Sequence, residues 1–258
     1  MRSYILGVRL FGLLLLVVCS LHAQIDLSSL DEGFDKPLAK TVVDLGPSPF
    51  YRASQHVRDK LTCYYYPTFT VKEYDRGQKG ADWLSIVRSA QAACTRRHRD
   101  DEKVYMSPDW SGYFRGVKGR LVFFDAPDGE DGGMPFAVFE VRTGRKLFED
   151  SSLLDYYQKK LHIKNAFRIT SGPDQIPQLT YLRVVRAGCD LKTEQAVCWN
   201  KVRAEFGITP TNMPDCSGYE QAAGRNWESA VVYPVSVLLT DSPQIKAVEG
   251  NVFCWATD

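Results

Sequence analysis

Six cysteines, four acids crowded on one turn and three aromatic residues set among polar neighbours are the side chains of this 258-residue chain whose types and spacing could do chemistry. The cysteines are Cys63, Cys94, Cys189, Cys198, Cys216 and Cys254, with a seventh, Cys19, close to the N-terminus. None of the six stands in a Cys-x-x-Cys pair, so neither a dithiol redox centre nor a zinc knuckle is suggested. An even set in an exported chain argues for disulfides instead. Six cysteines allow 15 pairings. The expected ones are Cys63 with Cys94, Cys198 with Cys216 across a helix end, and Cys189 with Cys254 between strands.

The acids Asp125, Asp128, Glu130 and Asp131 lie among Gly129, Gly132 and Gly133. Clustered carboxylates on a flexible turn are oxygen ligands of the kind Ca²⁺ prefers, but the spacing is not that of an EF-hand loop. A solvated hairpin tip needs the same residue types, so no tight ion is expected there. Trp83, Trp110 and Tyr113 are flanked by polar residues and could stack on a sugar or a peptide; in a β-rich chain the same residues also build cores.

Other chemistries find no footing. There is no Gly-x-Ser-x-Gly elbow and no Ser-x-x-Lys pair, and His56, His98 and His162 stand far apart in the chain outside any His-Glu-x-x-His pattern. No glycine-rich phosphate loop occurs, and no cofactor is expected. The whole chain carries a net charge of +1. Removal of an N-terminal leader with Arg2 and Arg9 would leave 30 basic residues against 31 acidic ones, too even a balance for nucleic acid or an anionic membrane surface. Two reading classes remain. One is an exported, non-catalytic binding or structural protein whose partner is a polysaccharide or another exported protein. The other is a hydrolase of extracellular polymers, since glycoside hydrolysis needs only two paired carboxylates and leaves no short motif.

Export itself is read from the N-terminus. Arg2 and Arg9 precede an apolar run from Leu10 to Val18, and small residues follow at Cys19, Ser20 and Ala23. That is the order of a signal peptide, with cleavage expected after Ala23, and the run is too short to span a bilayer. Leu16-Val17-Val18-Cys19 resembles a bacterial lipobox, departing from it at Val18, so a lipid anchor on Cys19 is the rival outcome. The asparagines after this leader offer no Asn-x-Ser/Thr acceptor, which favours a bacterial route, and the expected location is the periplasm or the cell exterior.

The elements that must position these residues follow from periodicity. Residues 24–51 alternate short apolar pieces with Pro37, Gly46, Pro47 and Pro49 and read as an extended lead-in able to add an edge strand. Aromatic and β-branched density from Leu61 to Tyr74 predicts strands. Residues 81–94 fit a helical stripe through Trp83, Ile86, Val87, Ala90 and Cys94 slightly better than a buried strand. The charged run from Arg96 to Lys103 carries both signs and reads as a solvated turn.

Leu121-Val122-Phe123-Phe124 and Phe136 to Val141 flank the acidic tip as a hairpin, and Thr143-Gly144 turns the chain into a further strand. Phe114, Gly119, Arg120, Phe123 and Asp125 recur 25 residues later as Phe139, Gly144, Arg145, Phe148 and Asp150. The second copy resembles the outer hairpin of a β-propeller blade, but no further copies follow and a full propeller is not expected. Short helices are predicted after Ser151 or Ser152 and after Ser217, and a firmer one over Glu194–Phe206 capped by Gly207. Strands at Leu179–Val185, Val231–Leu239 and Asn251–Trp255 close the chain. The fold class is therefore mainly β with a few short peripheral helices: one antiparallel, meander or sandwich-like domain over residues 52–258, stapled by disulfides, with most of the cysteines in its C-terminal third.

Overall fold

Two antiparallel sheets are built from strands that the period-two and continuous apolar runs mark out. The computed structural model describes residues 32–257 except 165, 215 and 217–227. The leader read at 1–23, with Cys19, and the capping pair Ser217 and Glu220 lie outside the described residues. The first sheet runs β1 (Ala39–Pro47), β2 (Arg58–Tyr65), β3 (Thr70–Asp75), β4 (Trp83–Val87) and β5 (Glu102–Tyr105), each paired with its sequence neighbour. The lead-in thus supplies an edge strand, β1.

The second sheet contains β6 (Tyr113–Lys118), β7 (Leu121–Asp125), β8 (Gly133–Glu140), β9 (Lys146–Leu153), β10 (Phe167–Ser171), β11 (Pro177–Arg186), β12 (Ser229–Leu238), β13 (Ile245–Ala247) and β14 (Phe253–Ala256). Its order is β13-β12-β11-β9-β8-β7-β6, with β10 on β11 and β14 on β12. Residues 31–258 form one compact unit. Among the described residues no helix is long and apolar enough to cross a membrane.

Why β7 reads as an unbroken apolar run is visible in its two faces. Leu121 and Phe123 enter one core with Phe136, Val138, Phe167 and Tyr181, while Val122 and Phe124 enter another with Leu84, Ile86, Tyr105 and Phe139. A strand covered on both faces has no solvated side on which to alternate. The second of these cores joins β6–β8 to the first sheet, so β7 lies at the centre of the packing.

The same reason corrects the helix expected over residues 81–94. All five residues of β4 are buried, with Leu84 and Ile86 facing the inner core and Trp83 facing the outer side of the sheet. Full burial erased the alternation that would have marked a strand, and the residues up to Cys94 belong to a loop that folds back over that outer face. Ser151 and Ser152, expected to begin a helix, instead lie within β9, which ends at Leu153; the helix α1 follows at Asp155–Lys160.

Helix α2 spans Gln195–Phe206, and Gly207 ends it with φ 67°, a left-handed turn that costs a residue without Cβ nothing. Cys198, Trp199 and Val202 face the core. This placement also corrects two expected disulfides. Cys63 is joined to Cys94, but Cys189 pairs with Cys198 and Cys216 with Cys254, in place of Cys189 with Cys254 and Cys198 with Cys216. Cys198 lies in the first turn of α2 facing back to the loop that leads in, so Cys189 is within 5.8 Å between Cα atoms. Cys254 on β14 is instead bridged in parallel to residue 216.

One irregular segment ties the second sheet together. Ile169 of β10 donates its N–H to Glu32 and Asp35 donates to Val117 of β6, so residues 32–35 bridge strands that do not pair with each other. Phe34 in this bridge packs edge-on to Phe123 at 5.2 Å between centroids. Gly116 makes room for it: a Cβ there would lie 2.5 Å from the Phe34 ring.

Candidate functional site

The acids of the hairpin tip do not converge. Asp125 is bonded by Arg115, Asp128 by Lys79, and Glu130 and Asp131 are both held by Arg186. Three cations from different parts of the chain hold the four carboxylates, which disperses the cluster that the sequence suggested. Among the described residues no group of three or more His, Cys, Asp or Glu side chains is placed to hold a metal ion.

Of the aromatic candidates, the two tryptophans are buried and Tyr113 is half-buried. Trp83 and Trp110 are 6% and 8% exposed, too little to offer a ring face to a ligand. Trp83 packs between Tyr74 and His98, Trp110 lies against Phe139, and Tyr113 uses its hydroxyl to accept the Gly80 N–H and to bond the Gln78 carbonyl. The structure does not bring these three together into one surface.

What the structure does bring together is a charged network on the outer face of the first sheet. Thr70, Lys72 and Tyr74 alternate outward on β3, Trp83 and Ser85 on β4, and Glu102 opens β5; Lys72 lies directly opposite Ser85 in the ladder. The loop of residues 88–101 covers them, fastened by the Cys63–Cys94 disulfide. The side chains of Lys72 and Glu102 are both fully buried and lie 3.1 Å apart. Glu102 also accepts Ser85 Oγ at 2.6 Å and the Arg99 backbone N–H at 3.1 Å, and His98 Nδ1 lies 3.3 Å away. Burial pushes this carboxyl up, but the bonds from Ser85, Lys72 and His98 outweigh it and hold it below the usual range.

Further along the loop Arg96 stacks over Tyr74 and bonds its hydroxyl. The run from Arg96 to Lys103, expected as a solvated turn, is therefore only partly solvated: the Glu102 side chain is buried, while Arg97, His98, Arg99 and Asp100 remain exposed. Those exposed residues, with Ala93, Thr95 and Asp101, line a surface cavity of about 540 Å³. Arg99 is paired with Asp101; among the described residues Arg97 has no ion-pair partner.

The arrangement is not that of a hydrolytic relay. Ser85 and His98 both address the same oxygen of Glu102, so the imidazole does not contact the hydroxyl it would have to deprotonate. Ser85 is also wholly buried.

A second charged centre lies between the tip hairpin and the 32–35 bridge. Arg115 donates to Glu32 at 2.8 Å and to Asp125 at 3.0 Å, with its guanidinium stacked 3.6 Å over the Phe167 ring. Burial pushes the Asp125 carboxyl above its usual range, Arg115 opposes this, and the neighbouring charges of Glu32 and Asp155 reinforce it. A third network joins Asp150 to Tyr181 and Arg183, and Arg183 to Tyr233.

Sequence reasoning singled out neither Lys72, Ser85, Glu102 and Arg115 nor the Asp150 network. No sequence signal marked Lys72, because β3 reads Thr70-Val71-Lys72-Glu73-Tyr74-Asp75 and carries charges at three of its six positions. Compared with known protein families, with curated proteins and with solved structures, the chain matches none.

Proposed function

We propose that the chain is an exported, non-catalytic binding protein that meets its partner, a polysaccharide or another exported protein, through the loop of residues 88–101. The observation that carries this reading is the build of that loop. Connections of this length without secondary structure are uncommon in compact domains and are commonly binding loops on a rigid scaffold. Here the loop is fixed by a disulfide, by the Arg99 N–H on Glu102 and by Arg96 on Tyr74, and it presents a cavity with Arg97 unpaired among the described residues. Fixing a loop in advance removes ordering cost from binding.

Export is supported by the leader-like N-terminus and by the three disulfides. The hydrolase reading draws on Asp125, a carboxyl pushed upward with Glu32 nearby. Such an enzyme keeps its two carboxylates apart with room for the scissile bond. Here Arg115 sits between them and bonds both, which supports a structural role for the pair.

Incubating the exported protein with a panel of insoluble polysaccharides, and measuring retention and reducing-end release together, tests the reading. Retention without release, weakened by Arg97→Glu, is the expected outcome. Release of reducing ends above that of heat-inactivated protein overturns it.

A further inference from the structure

The edges of the two sheets are protected unequally. A free strand edge presents unpaired N–H and C=O groups to any other strand. β6 is covered by the 32–35 bridge. β5 is only four residues long, and the Tyr105 hydroxyl at its end bonds the Gly144 carbonyl of the β8–β9 turn. β1 is nine residues long and, among the described residues, pairs with β2 alone. It also carries exposed apolar side chains, Val42 at 54% and Leu45 at 38%, with Leu38 at 72% just before it.

We propose that a second copy of this chain pairs with β1, antiparallel and about a twofold axis, to form one continuous sheet. The charges on the strand select this partner and fix its register. A twofold axis normal to the sheet places one residue opposite its own copy and pairs residues at equal distances on either side. With the axis at Val42, Lys40 lies opposite Asp44 of the other copy, twice over, and Val42 lies against Val42. An axis at Thr41 or Val43 sets Lys40 or Asp44, respectively, against Val42 and makes neither ion pair. Opposite charges directly across an antiparallel pair are favourable, and an apolar pair between them adds to this. A lysine on an edge deters foreign strands; here the chain's own Asp44 answers it.

The regular part of the strand is long enough. The irregularity in β1 falls between Asp44 and Gly46, outside the span from Lys40 to Asp44 that the pairing needs. Asp44 already accepts Arg58 Nε at 2.6 Å and the Gly46 N–H, but its side chain remains 52% exposed and can meet a further cation. Because the axis is normal to the sheet, the loop of residues 88–101 lies on the same side in both copies. The pairing itself does not depend on what that loop binds.

Sedimentation equilibrium on the exported protein tests the proposal. The wild type should be a concentration-dependent dimer, and Lys40→Asp alone and Asp44→Lys alone should each be monomers, one having only acids and the other only lysines at the two positions. An equimolar mixture of the two variants should dimerise again, because each acid then faces a lysine. That restoration separates a lost interface from a damaged fold, which matters for Asp44→Lys because it also removes the bond to Arg58. A wild type that stays monomeric up to its solubility limit overturns the proposal. So does a dimer that Lys40→Asp leaves intact, or a mixture of folded variants that stays monomeric.

Discussion

Glu102 lies 3.1 Å from Lys72, and Asp125 lies 3.0 Å from Arg115, yet the two carboxyls are pushed in opposite directions. Distance to a cation does not decide the sign. Glu102 has a lysine to itself and three further partners, Ser85, the Arg99 N–H and His98, so each oxygen is satisfied as an anion. Asp125 receives one bond from an arginine that gives Glu32 two, and two other acids stand near. A buried carboxylate is held low when donors outnumber the acids competing for them, and is raised when acids share one donor. The first arrangement fixes a loop to a sheet; the second leaves a half-buried charge imperfectly neutralised.

The largest effect should come from breaking the first pair. Lys72→Met keeps the volume but strands Glu102 without its cation, and a loss of about 3–5 kcal/mol of unfolding free energy is expected. Denaturant melts of that variant and of Lys72→Met with Glu102→Gln check it, because the double variant should recover part of the loss. Next in size is the staple above the pair. Replacing both Cys63 and Cys94 with Ser should cost about 3–4 kcal/mol by the loop-entropy account, and hydrogen exchange should rise across residues 88–101 before it rises in β7.

The comparison sharpens in the pH dependence. Glu102 has a folded value below the ordinary 4.5, so its contribution is complete above that value and is lost as pH falls through the folded one. Asp125 has a folded value above the ordinary 3.8, so its contribution is complete below 3.8 and is lost as pH rises through the folded one. Stability measured against pH should therefore lose part of its acid limb in Glu102→Gln. In Asp125→Asn it should instead lose part of its decline from acid towards neutral pH, with a change at neutral pH within about 1 kcal/mol. Variants that shift the curve in the same direction would break the comparison.

The smallest effect belongs to the exposed pair at the hairpin tip. Asp128→Ala removes a contact with Lys79 in which both side chains are more than half exposed, and pairs of that kind contribute little. Its thermal melt should overlay the wild type, and calorimetric titration with Ca²⁺ should show no tight site before or after the change.

These two centres also mark how much of the molecule could be read in advance. The hairpin at Leu121–Val141 was legible because two apolar runs flank a glycine-rich turn, and α2 because its apolar stripe ends at Gly207. The strand at Trp83–Val87 was not, since a segment buried on both faces has lost the period that tells strand from helix. Two of the three disulfides were misassigned because spacing along the chain says nothing of which way the first turn of α2 faces.

Residue types and local period were enough to determine that this is a mainly β, disulfide-stapled chain with a lead-in strand, since those properties depend on near neighbours. Which charges meet was decided only by tertiary structure. Lys72 and Glu102 are 30 residues apart and Glu32 and Arg115 are 83 apart, and partners so distant are chosen by sheet order and by loop closure. The same holds for the acids of the tip: the sequence could place them close together, but only the packed fold brought Arg115 to Asp125, Lys79 to Asp128 and Arg186 to both Glu130 and Asp131.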